Sequence, residues 1–592
     1  MARSAPAHGG HAVRRVAAAW AALLVLCSGP VVLAQASGQG GGNAVEETEE
    51  GIPVTDPLTI EKCGGCHARD AKGNLSRISW SRTTPEGWSQ AIKRMVRLNG
   101  MQLSGEDARL IVKYLGTRHG LAPEEAKPVM YIVEKRIVDE AIPNDNVRQA
   151  CAACHGFGQP LSWRRSKAEW QHLQNLHVAM FSQADAQFRR PIDPPPGSTP
   201  PPAGDPPAPK VTSGQVAIEY LTKAAPLHTA EWSTWQSRIR DPRISGEWLV
   251  SATMLGKGKY VGAMVISPGK AKDEFTTTVT LTSLRDGTTL TRSGSGLVYA
   301  GYSWRGRSSG AGAKAQAPDD PRGEAREALW IAPGQQTAEG RWFWGEYQEF
   351  GFDVKLTRAT PAPALIAVAP HALKAGAKDA RITLYGGNLP AQLAPGDLSL
   401  GAGVTLKRIV SHTADQILVE ADVAPDAAVG ARDVQVAGAI LENAFPVFQK
   451  LDYLKVTPET ALSRLGGIKF AKGYQQFEAI GFTNGRDGKP NTADDIRIGP
   501  ADVTWNIEEF ASVTYDDDKK FIGALSPTAL FTPAVEGPNP ARKFSRNNYG
   551  EVWVEATAKT DKDKFGKLLT GRSYLVVTVP LYQRWDQPEV TQ

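Results

Sequence analysis

The chain has 592 residues, more than one hydrophobic core can organise, so several domains are expected. Its 58 glycines and 41 prolines favour turn-rich β structure over a purely helical bundle. The formal net charge is +5, and it falls to about +2 without the first 36 residues, which excludes the strongly basic surface of a nucleic-acid-binding protein.

Residues 1–36 are predicted to form a signal peptide. Arg14 and Arg15 precede an apolar run over 16–26, and small residues at Ala34 and Ala36 supply a cleavage site. The run is shorter than the roughly 20 apolar residues that a membrane-spanning helix needs. We therefore expect export to the periplasm, with no membrane span left after cleavage.

Two Cys-x-x-Cys-His motifs follow a glycine-rich, acidic tail at 37–51 that is predicted to be disordered. In this spacing two thiols bond the vinyl groups of one haem, and the histidine ligates its iron. A redox cysteine pair or half of a zinc site would leave the histidine unexplained in both motifs. The sequence therefore predicts two covalently attached haem c groups, bound by Cys63, Cys66 and His67 and by Cys151, Cys154 and His155.

The first haem unit is assigned to residues 52–120. Thr84, followed by Pro85, is typical of a helix start, and apolar residues at helical spacing continue until Gly100. Ser104 begins a second predicted helix, which carries Leu115 on its buried side. This order of helix, loop and helix is that of a small c-type cytochrome.

The second haem unit, at 121–232, repeats this order. Aligning Trp88 with Trp170 sets Met95 opposite His177, since each lies seven residues past its tryptophan. We predict that the iron ligands are His67 and Met95 in the first unit and His155 and His177 in the second. Methionine ligation raises the haem potential, so the first haem is expected to be the more oxidising.

Other distal ligands stay open at this point. Met101, in the loop before the second helix, is an alternative to Met95, and His172 and Met180 are alternatives to His177. His119 lies at a helix end, where a C-terminal cap is the favoured interpretation.

A proline-rich stretch at 189–210 separates His177 from the last predicted helix of its unit, near 216–221. It is predicted to be an extended, solvated loop inserted within the second haem unit.

Three antiparallel β domains are predicted after the α-helical dihaem cytochrome c domain. A barrel-like domain is assigned to 233–360, an immunoglobulin-like domain to 361–450 and a C-terminal β-sandwich to 451–592. The tryptophans of the barrel-like domain are expected in its core rather than in a binding site. The acidic stretch 487–495 is interpreted as a turn rich in aspartate hydrogen bonds, with calcium as the alternative.

No phosphate-binding glycine loop, nucleophile elbow or HExxH motif is found, so the sequence predicts electron relay and no catalytic residue on this chain. Two one-electron centres suit a reaction that yields electrons in pairs.

These motifs resemble the large dihaem subunit of quinohaemoprotein amine dehydrogenase, and the resemblance covers almost the whole mature chain. The marks that carry it are Cys151 to Gly158, Arg164-Arg165, Glu169-Trp170, His177, Gly301 to Gly306 and Gly340 to Phe343. The longer N-terminal tail and the proline-rich insertion depart from the family.

The resemblance implies a periplasmic heterotrimer. A small gamma subunit would carry a tryptophan-derived quinone, and a propeller beta subunit would help to form the active site. A primary amine would be oxidised to an aldehyde and ammonia, with electrons passing through both haems to a soluble blue copper protein or cytochrome c. The alternatives are a dihaem cytochrome c whose β domains are binding modules, without a quinone partner, and a dihaem peroxidase.

Overall fold

The computed structural model describes residues 45–130, 142, 145–152, 155–192, 210–312, 315, 317–512 and 516–580. The predicted signal peptide, most of the predicted disordered tail, Cys154 and the centre of the proline-rich insertion lie outside the described residues. Within the described part of the chain, every helix is too short or too polar to cross a membrane.

The helices lie almost entirely in the two haem units. The described α-helices are α1 (Pro57–Cys63), α2 (Pro85–Asn99), α3 (Gly105–Arg118), α4 (Pro123–Ala126), α5 (Asp145–Cys151), α6 (Gly158–Leu161), α7 (Lys167–Met180), α8 (Ser182–Phe188), α9 (Ser213–Ala224), α10 (Ala230–Gln236) and α11 (Asp518–Phe521).

Local signals set the ends of the helices that carry the predicted distal ligands. The Thr84 hydroxyl accepts from the N–H of Gly87 at 3.3 Å, and Gly100 ends α2 at φ 68°. The Ser104 hydroxyl caps α3 in the same way. These ends confirm the predicted helices of the first unit.

The two haem units are structural repeats. The indole N–H of Trp88 donates to the carbonyl of His119 at 2.9 Å, and that of Trp170 donates to the carbonyl of Ala225 at 3.2 Å. His119 and Ala225 are the C-cap residues of α3 and α9. The structure therefore supports the alignment of Trp88 with Trp170, and it extends the last helix beyond the predicted 216–221.

A short antiparallel pair joins the units. Strand β1 (Ser81–Thr83) pairs with β2 (Trp163–Arg165), and Arg82 lies opposite Arg164. Each arginine stands six residues before the tryptophan of its unit. Equivalent residues thus meet across this pair of strands.

The proline-rich insertion starts and ends on the second haem unit. The N–H of Ile192 donates to the carbonyl of Val211 at 2.9 Å, and Pro191 and Thr212 form a β-bridge. Its two described ends are therefore held side by side, as an insertion within one unit requires.

The second domain is a closed barrel in which each strand pairs antiparallel with the next and the last pairs with the first. Its strands are β3 (Gly246–Met254), β4 (Gly258–Pro268), β5 (Glu274–Ser283), β6 (Thr289–Tyr299), β7 (Ser303–Gly310), β8 (Ala325–Ile331), β9 (Thr337–Trp344) and β10 (Phe350–Arg358). Trp248, Trp304 and Trp342 are buried in its core, as predicted. A cavity of about 10 Å³ is found inside, so the barrel is filled by side chains and has no room for a ligand there.

The third domain has two four-stranded sheets around one apolar core, ordered β11-β13-β16-β15 and β12-β18-β17-β14. The strands are β11 (Ala364–Ala369), β12 (Leu373–Lys374), β13 (Ala380–Gly387), β14 (Leu398–Ser399), β15 (Val404–His412), β16 (Gln416–Val423), β17 (Gly430–Val436) and β18 (Ala439–Phe448). The pair β12 and β18 is parallel, which corrects the prediction of a purely antiparallel domain.

The fourth domain has three described sheets, ordered β19-β22-β23, β20-β28-β27-β24 and β21-β26-β25. The strands are β19 (Tyr453–Thr457), β20 (Thr460–Arg464), β21 (Gln475–Gln476), β22 (Glu478–Thr483), β23 (Ile496–Pro500), β24 (Val503–Glu509), β25 (Gly523–Leu525), β26 (Leu530–Pro533), β27 (Gly550–Lys562) and β28 (Leu568–Thr578). Here too the prediction of antiparallel pairing is wrong for one pair, because β20 runs parallel to β28.

The acidic stretch 487–495 forms a hydrogen-bonded turn. The Asp495 carboxylate accepts from the N–H groups of Gly485 and Thr492 and from the Tyr453 hydroxyl at 2.6 Å. Its oxygens are satisfied by the chain itself, as the interpretation as a turn requires.

Candidate haem centres

The first haem unit packs on the barrel, which fixes the position of α3. Leu297 and Tyr299 from β6 share a buried cluster with Ile111 and Leu115. Glu86, in the first turn of α2, forms a buried ion pair with Arg305 of β7. The helix that carries Met95 is thereby anchored at its N-terminal end.

Three of the predicted ligand histidines share one arrangement. Nδ1 of His67 lies 2.8 Å from the Ser76 carbonyl, Nδ1 of His155 lies 3.1 Å from the Gly156 carbonyl, and Nδ1 of His177 lies 2.8 Å from the Leu173 carbonyl. A carbonyl oxygen only accepts, so each Nδ1 is assigned the proton. The unprotonated Nε2 is then the nitrogen that can bind a metal, and metal-binding histidines are commonly oriented by such a bond.

His155 and His177 face each other with ring centroids 6.5 Å apart. Two imidazoles on opposite sides of one metal ion, each bonded at about 2 Å, place their centroids about 6 Å apart. Burial, together with the neighbouring His177, lowers the pKa of His155 and favours the neutral form that binds a metal. The two rings therefore fit a haem iron held between them.

The surroundings of Cys63 and Cys151 disfavour the thiolate form of both side chains. Cys151 and Cys63 are half-buried among apolar side chains. Burial raises the pKa of Cys63 to about 11 and that of Cys151 to about 12. Zinc binding and disulfide exchange both need a thiolate, which these surroundings disfavour.

Met95 is half-buried near the end of α2, where its Sδ accepts from Nδ2 of Asn99 at 3.6 Å. The N–H of Met101 donates to the Met95 carbonyl at 3.1 Å, so both candidate methionines lie at the same helix end. The assignment of Met95 over Met101 stays a prediction.

Large apolar side chains are exposed beside both distal positions. Leu98 lies one helical turn past Met95, and Met180 lies one turn past His177, next to Phe181. Exposed apolar clusters need a cover, and the flat apolar ring of a haem is a suitable one. The exposed apolar side chains therefore fit one haem beside α2 and one beside α7.

His119 has surroundings unlike those of the predicted iron ligands. His119 is fully buried, and its ring contacts those of Trp88 and Tyr114. His119 is the C-cap residue of α3, as predicted. The cap is made by its backbone N–H, which donates to the Leu115 carbonyl at 2.8 Å, and not by its side chain. Burial is the main cause that lowers the pKa of His119 to about 4.

A buried ionic contact that was not predicted from the sequence joins the two units. Arg82 and Arg164 both donate to the carboxylate of Glu125, at 2.8 Å and 3.2 Å. In the sequence, Arg82 and Arg164 lie at the same spacing before Trp88 and Trp170, and this repeat could have indicated that the two arginines have equivalent positions. We name Arg82, Glu125 and Arg164 the inter-unit clasp.

Aromatic rings reinforce this junction. The rings of Trp88 and Trp163 meet edge to face with centroids 5.9 Å apart. The Arg165 guanidinium lies 4.0 Å from the Trp163 centroid and 5.7 Å from that of Trp170. The described residues of the two haem units therefore share one packed interface.

Among the described residues, no group of three or more His, Cys, Asp or Glu side chains could hold a metal ion. Haem sites do not need such a group, because the porphyrin supplies four of the iron ligands.

Comparison with solved structures finds distant likenesses among its matches. They include a redesigned β-barrel (13% identity, TM-score 0.16, covering 20% of this chain and 92% of that chain). Others are the Yersinia pseudotuberculosis adhesin InvE (11%, TM-score 0.12, covering 36% and 58%) and human protocadherin-24 EC1-2 (10%, TM-score 0.14, covering 37% and 97%). Likenesses at this level carry no functional information. Among curated proteins no match is found.

Family models match most of the chain. Residues 54–190 match the haem-binding region of quinohemoprotein amine dehydrogenase A, alpha subunit. Residues 241–359, 362–449 and 454–590 match domains II, III and IV of the same alpha subunit. The matches follow one another in the order of the four structural regions described above, so this haem-binding chain belongs to the family of quinohemoprotein amine dehydrogenase alpha subunits.

Proposed function

We propose that this chain is the dihaem electron-transfer subunit of a periplasmic amine dehydrogenase. It accepts electrons from a tryptophan-derived quinone on a small gamma subunit and passes them through two covalently attached haem c groups to a soluble blue copper protein or cytochrome c. The complex, completed by a propeller beta subunit, oxidises primary amines to aldehydes and ammonia.

The observation that carries the proposal is the shared geometry of His67, His155 and His177. In each, a backbone carbonyl holds Nδ1 and leaves Nε2 for a metal. Haem c, when bound, supplies reversible one-electron transfer at its iron. The chain's part is to attach the cofactor through Cys63, Cys66, Cys151 and Cys154 and to orient its axial ligands.

The two centres are proposed to differ in their distal ligand. Met95 offers a thioether on the first unit, whereas His177 offers an imidazole on the second. A thioether favours the reduced iron more than an imidazole does, so the first centre has the higher potential. Electrons would therefore pass from the second haem unit to the first, and from the first to the soluble acceptor.

We assign no catalytic residue to this chain and place the quinone on the small partner subunit. Residues 1–36 are proposed to be the signal peptide that directs export to the periplasm. The third and fourth domains are proposed to be immunoglobulin-like modules, since two facing sheets around one core form the third domain.

The test is to purify the native protein with its bound neighbours and to identify every component by mass. We expect two haem c groups covalently bound to this chain, a propeller subunit, and a small subunit with a modified tryptophan. A native chain with two haems and no such partners would support the cytochrome with binding modules instead.

A further inference from the structure

Arginine side chains outnumber carboxylates at the junction of the two haem units. Arg77 and Arg165 share the buried carboxylate of Glu169, and the charge of Arg94 acts on Arg165. We call Arg77, Arg94 and Arg165 the arginine cluster. Burying a positive charge is costly unless a negative charge lies beside it, so one carboxylate for three guanidiniums leaves positive charge to be neutralised.

Glu169 neutralises mainly Arg77. Nε of Arg77 lies 2.6 Å from Oε1 of Glu169, whereas Nη1 of Arg165 lies 3.7 Å from Oε2. This last separation is too long for a hydrogen bond. Arg165 is therefore attracted by the charge of Glu169 without donating a hydrogen bond to it.

Arg165 is fixed within the junction. It is 7% exposed, its Nη1 donates to the Ser81 hydroxyl at 3.0 Å, and its guanidinium lies over the Trp163 ring. Its Nε is buried and has no hydrogen-bond partner in the described part of the chain. Burial is the main cause that lowers the pKa of Arg165 to about 9; Glu169 opposes this decrease and Arg94 adds to it. Arg165 thus offers a buried N–H donor beside a second positive charge.

Arg94 lies on the side of α2 that faces the second haem unit. Ala91, one helical turn earlier, packs against the apolar cluster that contains Trp163 and Trp170. Arg94 is half-buried, and within the described residues its side chain makes no hydrogen bond and no ion pair. It directly precedes Met95, so its side chain leaves α2 beside the predicted distal ligand of the first haem.

The other carboxylates on adjoining segments already have partners of their own. Those that accept hydrogen bonds are Glu125 from Arg82 and Arg164, Glu86 from Arg305, Glu47 from Ser166 and Glu49 from Lys167. None of these carboxylates is among the groups that shift the pKa of Arg165. The described carboxylates of this region therefore leave the charges of Arg94 and Arg165 uncancelled.

We propose that Arg94 and Arg165 together bind a propionate of the first haem. Haem c carries two propionate side chains, and arginine binds such carboxylates through strong, charge-assisted N–H bonds. The first haem is assigned because Arg94 is the neighbour of Met95 on α2. This inference rests on the proposed function, in which the chain carries two haem c groups. The second unit, through Arg165, then helps to hold the haem of the first.

The expected consequence is a higher reduction potential at the first haem. Ferric iron carries one more positive charge than ferrous iron, so a guanidinium nearby favours the reduced form. The groups around a metal centre tune its potential in this way. The arginine charges therefore act in the same direction as the thioether of Met95.

The test compares Arg94→Gln with Arg97→Gln in the native protein. Arg97 is exposed and lies two residues past Met95, which places it on the opposite face of α2. Redox titration is followed at the near-infrared methionine-to-iron band for the first centre and by electron paramagnetic resonance for the second. We expect Arg94→Gln to shift the reduction equilibrium of the first centre about tenfold toward the oxidised form, equivalent to about 59 mV, and Arg97→Gln less than about twofold.

Two further measurements separate propionate binding from a structural role. Arg94→Lys keeps the positive charge and should shift the equilibrium less than about threefold. The resonance Raman bending band of the haem propionates should move in Arg94→Gln and stay unchanged in Arg97→Gln, while haem content and thermal midpoint stay those of wild type. Equal shifts in the two glutamine variants, or a shift confined to the second centre, would overturn the proposal.

Failure of this inference and failure of the proposed function are distinguishable. A wild-type chain without two covalently bound haems contradicts the proposed function itself. An unchanged first-centre potential and propionate band in Arg94→Gln, in a chain that carries both haems, contradicts only the role of Arg94 and Arg165.

Discussion

The inter-unit clasp gives the sharpest stability prediction. Glu125 is buried, and its carboxylate accepts from Arg82 at 2.8 and 3.0 Å and from Arg164 at 3.2 Å. The Thr229 hydroxyl and the N–H of Ala122 add bonds of 2.9 and 2.8 Å. Glu125→Gln removes the only negative charge of this clasp and leaves two buried guanidiniums facing each other.

Removing one partner of a buried ion pair costs about 3–5 kcal/mol. For a unit of this size each kcal/mol lowers the melting temperature by about 2–4 °C, so a drop of at least about 6 °C is expected. Asp185→Asn is the matched control, because it breaks an exposed pair with Arg189 and should cost less than about 1 kcal/mol. Thermal unfolding is followed by haem absorbance and by calorimetry.

Low pH should weaken the contact of Glu125 with Arg82 and Arg164. Burial acts to raise the pKa of Glu125, but the bonds and charges of Arg82 and Arg164 outweigh it and hold the pKa below 4.5. A lowered carboxylate pKa contributes stability that is present above the unfolded value and is lost as pH falls through the folded value. We expect the wild-type protein to lose stability below about pH 4.5, and we expect the Glu125→Gln variant to lose less over the same range. Equal melting temperatures for wild type and Glu125→Gln would refute this reasoning.

Three other outcomes concern individual residues of the haem units. Met95→Ala should abolish the weak near-infrared methionine-to-iron band while Met101→Ala leaves it intact, and the reverse would move the ligand to Met101. His177→Ala should convert the second centre to high spin in its electron paramagnetic resonance spectrum, whereas His172→Ala should not; a high-spin signal only in the latter would reassign the ligand. His119 stays neutral in the fold, with a pKa of about 4, while the unfolded chain takes up a proton near pH 6.5. Stability should therefore fall by about 3 kcal/mol as pH falls between these values, and urea titrations should show a flatter profile in His119→Gln.

The repeat of the haem units could be predicted because its determinants are local. Thr84 and Gly100 set the ends of α2 by their own chemistry. The spacing from Trp88 to Met95 matches that from Trp170 to His177. In the fold both indoles donate to the carbonyl of the residue that ends the packed helix, which supports the same alignment.

Contacts between distant segments could not be predicted in the same way. Glu125 meets Arg82 across the interface of the two units, and no helix or strand period connects it with Arg82 or Arg164. The parallel pairing of β20 with β28 brings together strands separated by most of the fourth domain. The buried ion pairs of Arg542 with Asp517 and Asp518 likewise join segments about 25 residues apart in the sequence.

The most direct test of the central claim is to add a primary amine to the anaerobic native complex and record the haem absorbance. Oxidation of one amine to an aldehyde releases two electrons, so we predict that each amine reduces two haems. A complex whose haems are reduced by dithionite but by no primary amine would contradict the account.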